Sequence, residues 1–197
     1  IIEAMNLSEL VTDFIEYLEI EQNRAQRTIA NYHHYLMRLV EFTDDCPINK
    51  LDNEMVRRYR LWLSRYRDGQ NQELSKTTQN YHLIALRSFL KYLARRDVQS
   101  LAAEKIELPK IGSRQVEFLT VDEVERLIGA TAEEKNPPTR LRDRAILEML
   151  FSTGLRISEL TNLKRDQVNL QRGEFAVRGK GDKLRVVFLS APAAKAV

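Results

Sequence analysis

Arg156 and Glu159 lie three residues apart in STGLRISELTNL, residues 152–163, directly after the small-residue break Ser152-Thr153-Gly154. An arginine guanidinium holds a phosphate or carboxylate in a planar fork. A helix that restarts after such a break offers free backbone N–H groups to the same anion. Glu159 is placed to fix the direction of that fork. On a wetted helix face the pair would be an ordinary i,i+3 ion pair worth a few tenths of a kcal/mol. The apolar neighbours Leu155, Ile157, Leu160 and Leu163 argue for partial shielding instead. A second cation, Lys180, sits between Gly179 and Gly181. An ammonium neutralises charge and also donates a proton, which a guanidinium does not readily do at neutral pH. Taken alone, Gly-Lys-Gly equally suits a solvent-exposed turn. It is not a phosphate-binding P-loop, because G-x-x-x-x-G-K-[ST] is absent.

The elements that must position these residues follow from periodicity. Leu7, Leu10, Val11, Phe14, Ile15 and Leu18 recur at helical spacing, with Asn6 and Glu9 resembling a capping box. A second helix is predicted from about Arg27 to Phe42, ended by Asp44, Asp45 and Pro47. A third follows Asp52, with Met55, Tyr59, Trp62 and Tyr66 on one stripe and Asp68-Gly69 closing it. A fourth starts at Ser75, with Leu83, Leu86, Leu90 and Leu93 on one face and Tyr81, Ala85 and Tyr92 on another. Four helices with short connections form a bundle, predicted over 1–98. Residues 99–117, with Leu108, Pro109, Gly112 and Ser113, read as an extended linker, and a second domain over 118–197 begins at the capping box Thr120-Val-Asp-Glu123. Pro137-Pro138 breaks the pattern. Leu141 to Phe151 is apolar on most sides, which predicts burial in a second core. Beyond the Arg156 motif the period falls to two in Val168–Leu170, Phe175–Val177 and Leu184–Leu189. The last two runs flank Arg178–Lys183 as a hairpin. Ala191–Val197 reads as the start of another helix.

Composition narrows the function classes. The 197 residues are 43% hydrophobic and 30% charged, as in globular domains, with a net charge of +3. No apolar run is long enough to span a membrane. The acidic N-terminus lacks the basic region of a signal peptide, and its first residue, Ile1, suggests a fragment. The single cysteine, Cys46, excludes an intrachain disulfide and fits a cytosolic setting. Charge is unevenly spread. Before Arg24 stand six acids (Glu3, Glu9, Asp13, Glu16, Glu19, Glu21) and no base. From Arg24 to Arg67 nine bases face five acids.

TGLRISEL followed by a strand–GKGDK–strand hairpin resembles the tyrosine recombinase (phage integrase) family, in its Xer-like branch. RTIANYHHYLMRLVEF and LSKTTQNYHLIALRSFLKYL are similar to the second and fourth helices of that family's core-binding domain. EFLTVDEVERLI is similar to the opening of its catalytic domain. The resemblance implies a mainly α fold: a four-helix SAM-like core-binding domain, then the first part of an α+β catalytic domain with a small antiparallel sheet. It implies DNA strand exchange without metal or nucleotide cofactor, in which a tyrosine attacks a phosphodiester to give a 3′-phosphotyrosyl link and a free 5′-hydroxyl. Arg156 would be the first catalytic arginine, Glu159 its support and Lys180 the general acid.

The family's His-x-x-Arg motif, a further His or Trp, and the nucleophile are not found. The three histidines are His33, His34 and His82, and the last tyrosine is Tyr92. The chain is therefore expected to be a truncated recombinase that binds DNA without cleaving it, mainly monomeric in isolation. The complete protein would act as a tetramer on synapsed double-stranded DNA, in the cytoplasm at the nucleoid. The starts of the second and fourth helices would face the duplex, offering Arg27, Thr28 and Asn31 on one and Lys76, Thr77, Thr78 and Gln79 on the other. Asn and Gln suit adenine edges, and Arg, Lys and Thr suit phosphates. Two other readings stay open: an inactive relative that occupies recombination sites, and a helical protein-interaction module with no role on DNA.

Overall fold

The aspartate pair that ends the second helix also starts the first. In the computed structural model, which describes residues 5–109, 112, 116–179, 181 and 183–197, α1 spans Leu7–Ile20 and α2 spans Gln26–Thr43. Asp44 and Asp45 both adopt left-handed backbone, at φ 52° and 49°. The turn carries the Asp45 carboxylate back to the N-terminus of α1, where it accepts from Ser8 N–H at 2.8 Å and Ser8 Oγ at 2.6 Å. An anion there satisfies a donor that the helix itself cannot, and it complements the helix dipole. Helices α3 (Asn53–Arg65) and α4 (Lys76–Arg95) start at Asp52 and Ser75, whose side chains accept from Met55 N–H and Thr78 N–H.

The chain divides into two compact units, Ile1–Arg114 and Gln115–Val197. In the first, the four helices close over Phe14, Leu36, Leu39, Tyr59, Phe89 and Leu90. On α3 the buried stripe is Val56, Tyr59 and Leu63, while Tyr66 lies just past the helix end. Residues expected in the linker pack here too: Ala103, which opens a short 3-10 turn, and Ile106, which follows it, are buried against this bundle.

A polar cluster lies inside the bundle. His82 is 1% exposed. Its Nε2 is 3.5 Å from Arg38 Nη1, and its Nδ1 is 3.3 Å from the Tyr35 carbonyl and 3.2 Å from Tyr59 Oη. Arginine only donates, so Nε2 accepts and Nδ1 carries the proton toward the Tyr35 carbonyl. Burial outweighs that hydrogen bond and holds the imidazole down to about 4.

The second unit is mainly helical with one hairpin. It comprises α5 (Val121–Ala130), α6 (Pro137–Thr153), α7 (Ile157–Thr161), β1 (Glu174–Arg178), β2 (Leu184–Phe188) and α8 (Ala191–Ala196). The Thr120 capping box forms. Pro137 does not break the chain but opens α6, where its missing N–H costs nothing. The strands pair antiparallel with Phe175 opposite Val187 and Val177 opposite Arg185. Their inward side chains meet Met149 and Leu155 in a small core. The expected burial of Leu141 to Phe151 in a second core is found only in part: Met149 is buried there, but Leu141 is 64% exposed and Phe151 57%. Helix α8, α5 with the turn that follows it, α7 and strand β2 all lie against α6, but they are too short to cover Leu141, Ile146 and Phe151. Among the described residues no helix is long and apolar enough to cross a membrane.

The depressed His82 pKa gives a signed prediction. The unfolded imidazole takes its proton near 6.5 and the folded one near 4, so the unfolded state binds more protons between these values. Stability is therefore full above pH 6.5 and falls with pH to about pH 4. The loss is roughly 3 kcal/mol, because each tenfold difference in proton affinity between the two states is worth ~1.4 kcal/mol. His34, held down by burial and then by Arg38, acts in the same direction. Urea unfolding followed by Trp62, the only tryptophan, should lose most of this slope in His82→Gln. An unchanged slope would place the proton-linked loss elsewhere.

Candidate active site and nucleic-acid interface

Gly154 ends α6 in the left-handed region, at φ 61°, where its N–H donates to the Leu150 carbonyl. Such a residue reverses the chain at no Cβ cost. Thr153 Oγ1 donates to the Met149 carbonyl at 2.6 Å, and Leu155 seals the turn into the core. The chain leaves this turn with Arg156 at the N-cap of α7. An arginine cannot accept a hydrogen bond, so only half of a capping box forms: Glu159 Oε2 accepts Arg156 N–H at 2.8 Å.

Glu159 is the junction of the site. Its side chain is 8% exposed, against 61% for Arg156. Oε1 accepts from Arg156 Nη1 at 2.9 Å and from Arg185 Nη1 at 3.0 Å. Oε2 accepts from Arg185 Nη2 at 2.8 Å as well as from the Arg156 backbone. The Arg185 fork first, and the Arg156 N–H second, hold the carboxyl down to about 2. Arg156 therefore gives Glu159 one side-chain N–H. Its Nε and Nη2 make no hydrogen bond among the described residues, so they remain available to an anion.

Arg185 is not evident from sequence, where Leu184–Leu189 is an apolar run; in the strand Leu184, Val186 and Phe188 form the exposed face while Arg185 and Val187 point inward. A charge at an inward position of a period-two strand is the signal that could have found it, since a shielded cation needs a partner. The fork also explains one glycine. A Cβ on Gly179 would lie 2.9 Å from Arg185 Nη1 and 3.8 Å from Glu159 Oε1. Gly179 N–H donates to the Lys183 carbonyl at 2.8 Å, closing the base of the hairpin. Lys180, the expected general acid, lies outside the described residues. At the other end of the hairpin, Ser152 Oγ donates to the Phe188 carbonyl and accepts from Ser190 N–H, tying α6 to β2 and α8.

In the first unit the two expected DNA-facing groups are not brought together. Arg27 and Asn31 are exposed on the first turns of α2 and Thr28 is half-buried. Thr28 shares a pocket with Arg24, just before α2, and with Ser88, Lys91 and Arg95 on the C-terminal part of α4. Further along α2, Tyr35 and Arg38 meet His82, nearer the start of α4. The two helices thus run in opposite directions. At 1.5 Å per residue, Lys76 and Thr77 lie roughly 20 Å from that pocket, a span of about six base pairs. Lys76 and Thr77 are exposed, whereas Thr78 and Gln79 bond locally, to Ser75 and to the Leu74 carbonyl. Arg24, Lys91 and Arg95 extend the expected set. They form no ion pair among the described residues, and only their convergence in the fold marks them out.

Two family models match in tandem. The phage integrase N-terminal SAM-like domain matches residues 11–97 and the phage integrase family matches residues 117–197. The chain belongs to the phage integrase family of tyrosine recombinases. Curated relatives include tyrosine recombinase XerC of Pelobacter propionicus, 36% identical, with 97% of this chain and 62% of the relative covered. XerC of Bacillus subtilis is 32% identical, with 92% and 59% covered. The chain thus spans about three-fifths of the length of these recombinases. Among solved structures, a lambda integrase tetramer bound to a Holliday junction aligns at a TM-score of 0.70 with 16% identity, covering 94% of this chain and 51% of the other. XerH site-specific recombinase in a post-cleavage complex with a palindromic difH substrate aligns at 0.63 with 22% identity, covering 94% and 55%. At these identities the shared feature is the integrase fold.

The geometry at Gly179 is directly testable. In Gly179→Ala the added methyl displaces the Arg185 guanidinium, the movable end of a long side chain, so the second unit stays folded while the fork onto Glu159 is lost. The Glu159 carboxyl, followed by carbon-detected NMR, should then titrate nearer the ordinary carboxylate range than in the parent. A titration that stays near 2 would show that the fork is not what lowers it.

Proposed function

We propose that this chain grips duplex DNA and carries the first part of a strand-exchange site. Arg156 holds the non-bridging oxygens of a backbone phosphate, Glu159 supports it, and Lys180 protonates the leaving 5′-oxygen in the complete recombinase. The observation that carries this reading is the contrast at the junction: a shielded Glu159 takes one N–H from an Arg156 that stays 61% exposed. Donors fixed before the anion arrives stabilise charge on a pentacoordinate phosphate without reorganising. The XerC relatives are named as tyrosine recombinases, and the lambda integrase and XerH neighbours are complexes with DNA; both support the substrate class.

No tyrosine follows Tyr92 in these 197 residues, and Tyr59 and Tyr92 are buried in the helical core. As they stand, the 197 residues bind DNA without cleaving it, and the nucleophile belongs to the complete recombinase. The helical unit supplies phosphate contacts from Arg27, Thr28, Asn31, Lys76 and Thr77, joined by Arg24, Lys91 and Arg95, with Gln79 and Thr78 less free to reach out. Contacts of this kind set affinity and its dependence on salt more than they set sequence preference. The complete recombinase assembles as a tetramer on synapsed DNA, and the 197 residues alone are monomeric. Location at the nucleoid follows from the same DNA contacts.

Fluorescence anisotropy with a labelled duplex tests the reading. Arg156→Ala should weaken binding about tenfold, as expected for a lost charge-assisted contact. It should also lower the slope of log affinity against log salt by about one. Unchanged affinity and slope would remove Arg156 from the interface, and affinity that persists at high salt would favour a protein-interaction module. Sedimentation without DNA should give one species at the 23.0 kDa monomer mass; a stable tetramer would contradict the monomeric state proposed for these residues alone.

A further inference from the structure

We infer that Arg185 is a positioning residue that keeps Arg156 open to phosphate by occupying Glu159. The inference rests on the proposed grip of Arg156 on DNA and adds the device that makes it available. A carboxylate beside an arginine favours a two-point fork, which ties up two of the five guanidinium N–H groups, fixes its orientation and cancels its charge. Here Glu159 already gives that fork to Arg185, through Nη1 at 3.0 Å and Nη2 at 2.8 Å. Arg156 is left with one side-chain bond at 2.9 Å. The three side chains together carry one net positive charge, and the arginine with the single bond to Glu159 is the more exposed one, 61% against 36% for Arg185.

Three features of the fold hold Arg185 in this role. It lies on the inward side of β2, opposite Val177. Gly179 has no Cβ to obstruct the guanidinium. Glu159 is fixed from its other side by the Arg156 N–H, which it accepts as the helix begins. Removing Arg185 leaves Glu159 shielded with Arg156 as its remaining arginine partner. The free N–H groups of Arg156 then turn toward the carboxylate, and the site loses its net charge. Removing Glu159 as well releases Arg156 again. A residue that touched DNA itself, or merely held the fold, would not show this reversal.

The test uses the 197-residue chain and a labelled duplex at fixed salt, with Arg172→Ala, an exposed cation of the same unit, as the measure of generic charge loss. Arg185→Ala should weaken binding about tenfold, more than Arg172→Ala does, and Glu159→Gln/Arg185→Ala should bind several-fold more tightly than Arg185→Ala alone. If Arg185→Ala lacks a cooperative unfolding transition, Arg185→Gln replaces it, since its amide is neutral and cannot match the fork. Loss in Arg156→Ala with no excess loss in the Arg185 variant, or a loss that persists when Glu159 is also replaced, overturns the inference alone. No loss in Arg156→Ala overturns the reading beneath it and the inference together.

Discussion

A carboxylate shielded from water must find donors for both its oxygens, and the way Glu159 finds them organises the second unit. One oxygen is shared between two guanidinium groups and the other between a guanidinium and a backbone N–H. Those donors come from two places in the chain, the turn that starts α7 and the inward face of β2. The carboxylate therefore joins the helix that carries Arg156 to the hairpin. Burying such a group unpaired would be strongly unfavourable, so a carboxylate that loses one donor is drawn onto those that remain. Gly154, which turns the chain into α7, and Gly179, which admits the Arg185 guanidinium, are the backbone conditions for completing it.

The helical unit is organised differently. Its core is apolar and aromatic, and His82 inside it pairs with Tyr35, Tyr59 and Arg38. Its available cations lie on the outside, at the beginnings of α2 and α4 and around the pocket that α2 shares with the end of α4. In the proposed function one unit would offer dispersed charge for a long polyanion, and the other a single preorganised fork for one phosphate. The two tasks need different physics. Dispersed phosphate contacts tolerate imprecision, while stabilising a reacting phosphate requires donors already aimed at it.

Most of the helices are legible in the sequence because the caps and the apolar period agree. Asp52, Ser75 and Thr120 each start a helix where the apolar pattern begins. Arg156 and Glu159 are legible through the Thr-Gly break and the apolar neighbours. Arg185 is not, because its neighbours Val186, Val187 and Phe188 make the strand read as uniformly apolar, and its inward direction depends on the register with β1. The burial of α6 is overestimated from sequence for a related reason. Apolar residues on several faces of a helix state a demand for cover, and the short helices and single strand packed on α6 meet only part of it. The opposed directions of α2 and α4, which separate Thr28 from Lys76, are a property of packing that no local pattern encodes.

The central claim is that Glu159, occupied by Arg185, leaves Arg156 open to a phosphate. Nitrogen-detected NMR of the arginine Nε–H groups during titration with duplex DNA tests it most directly. The Arg156 signal should shift on binding while the Arg185 signal stays in place, still bound to Glu159. A shift of Arg185 with Arg156 unmoved would contradict the account.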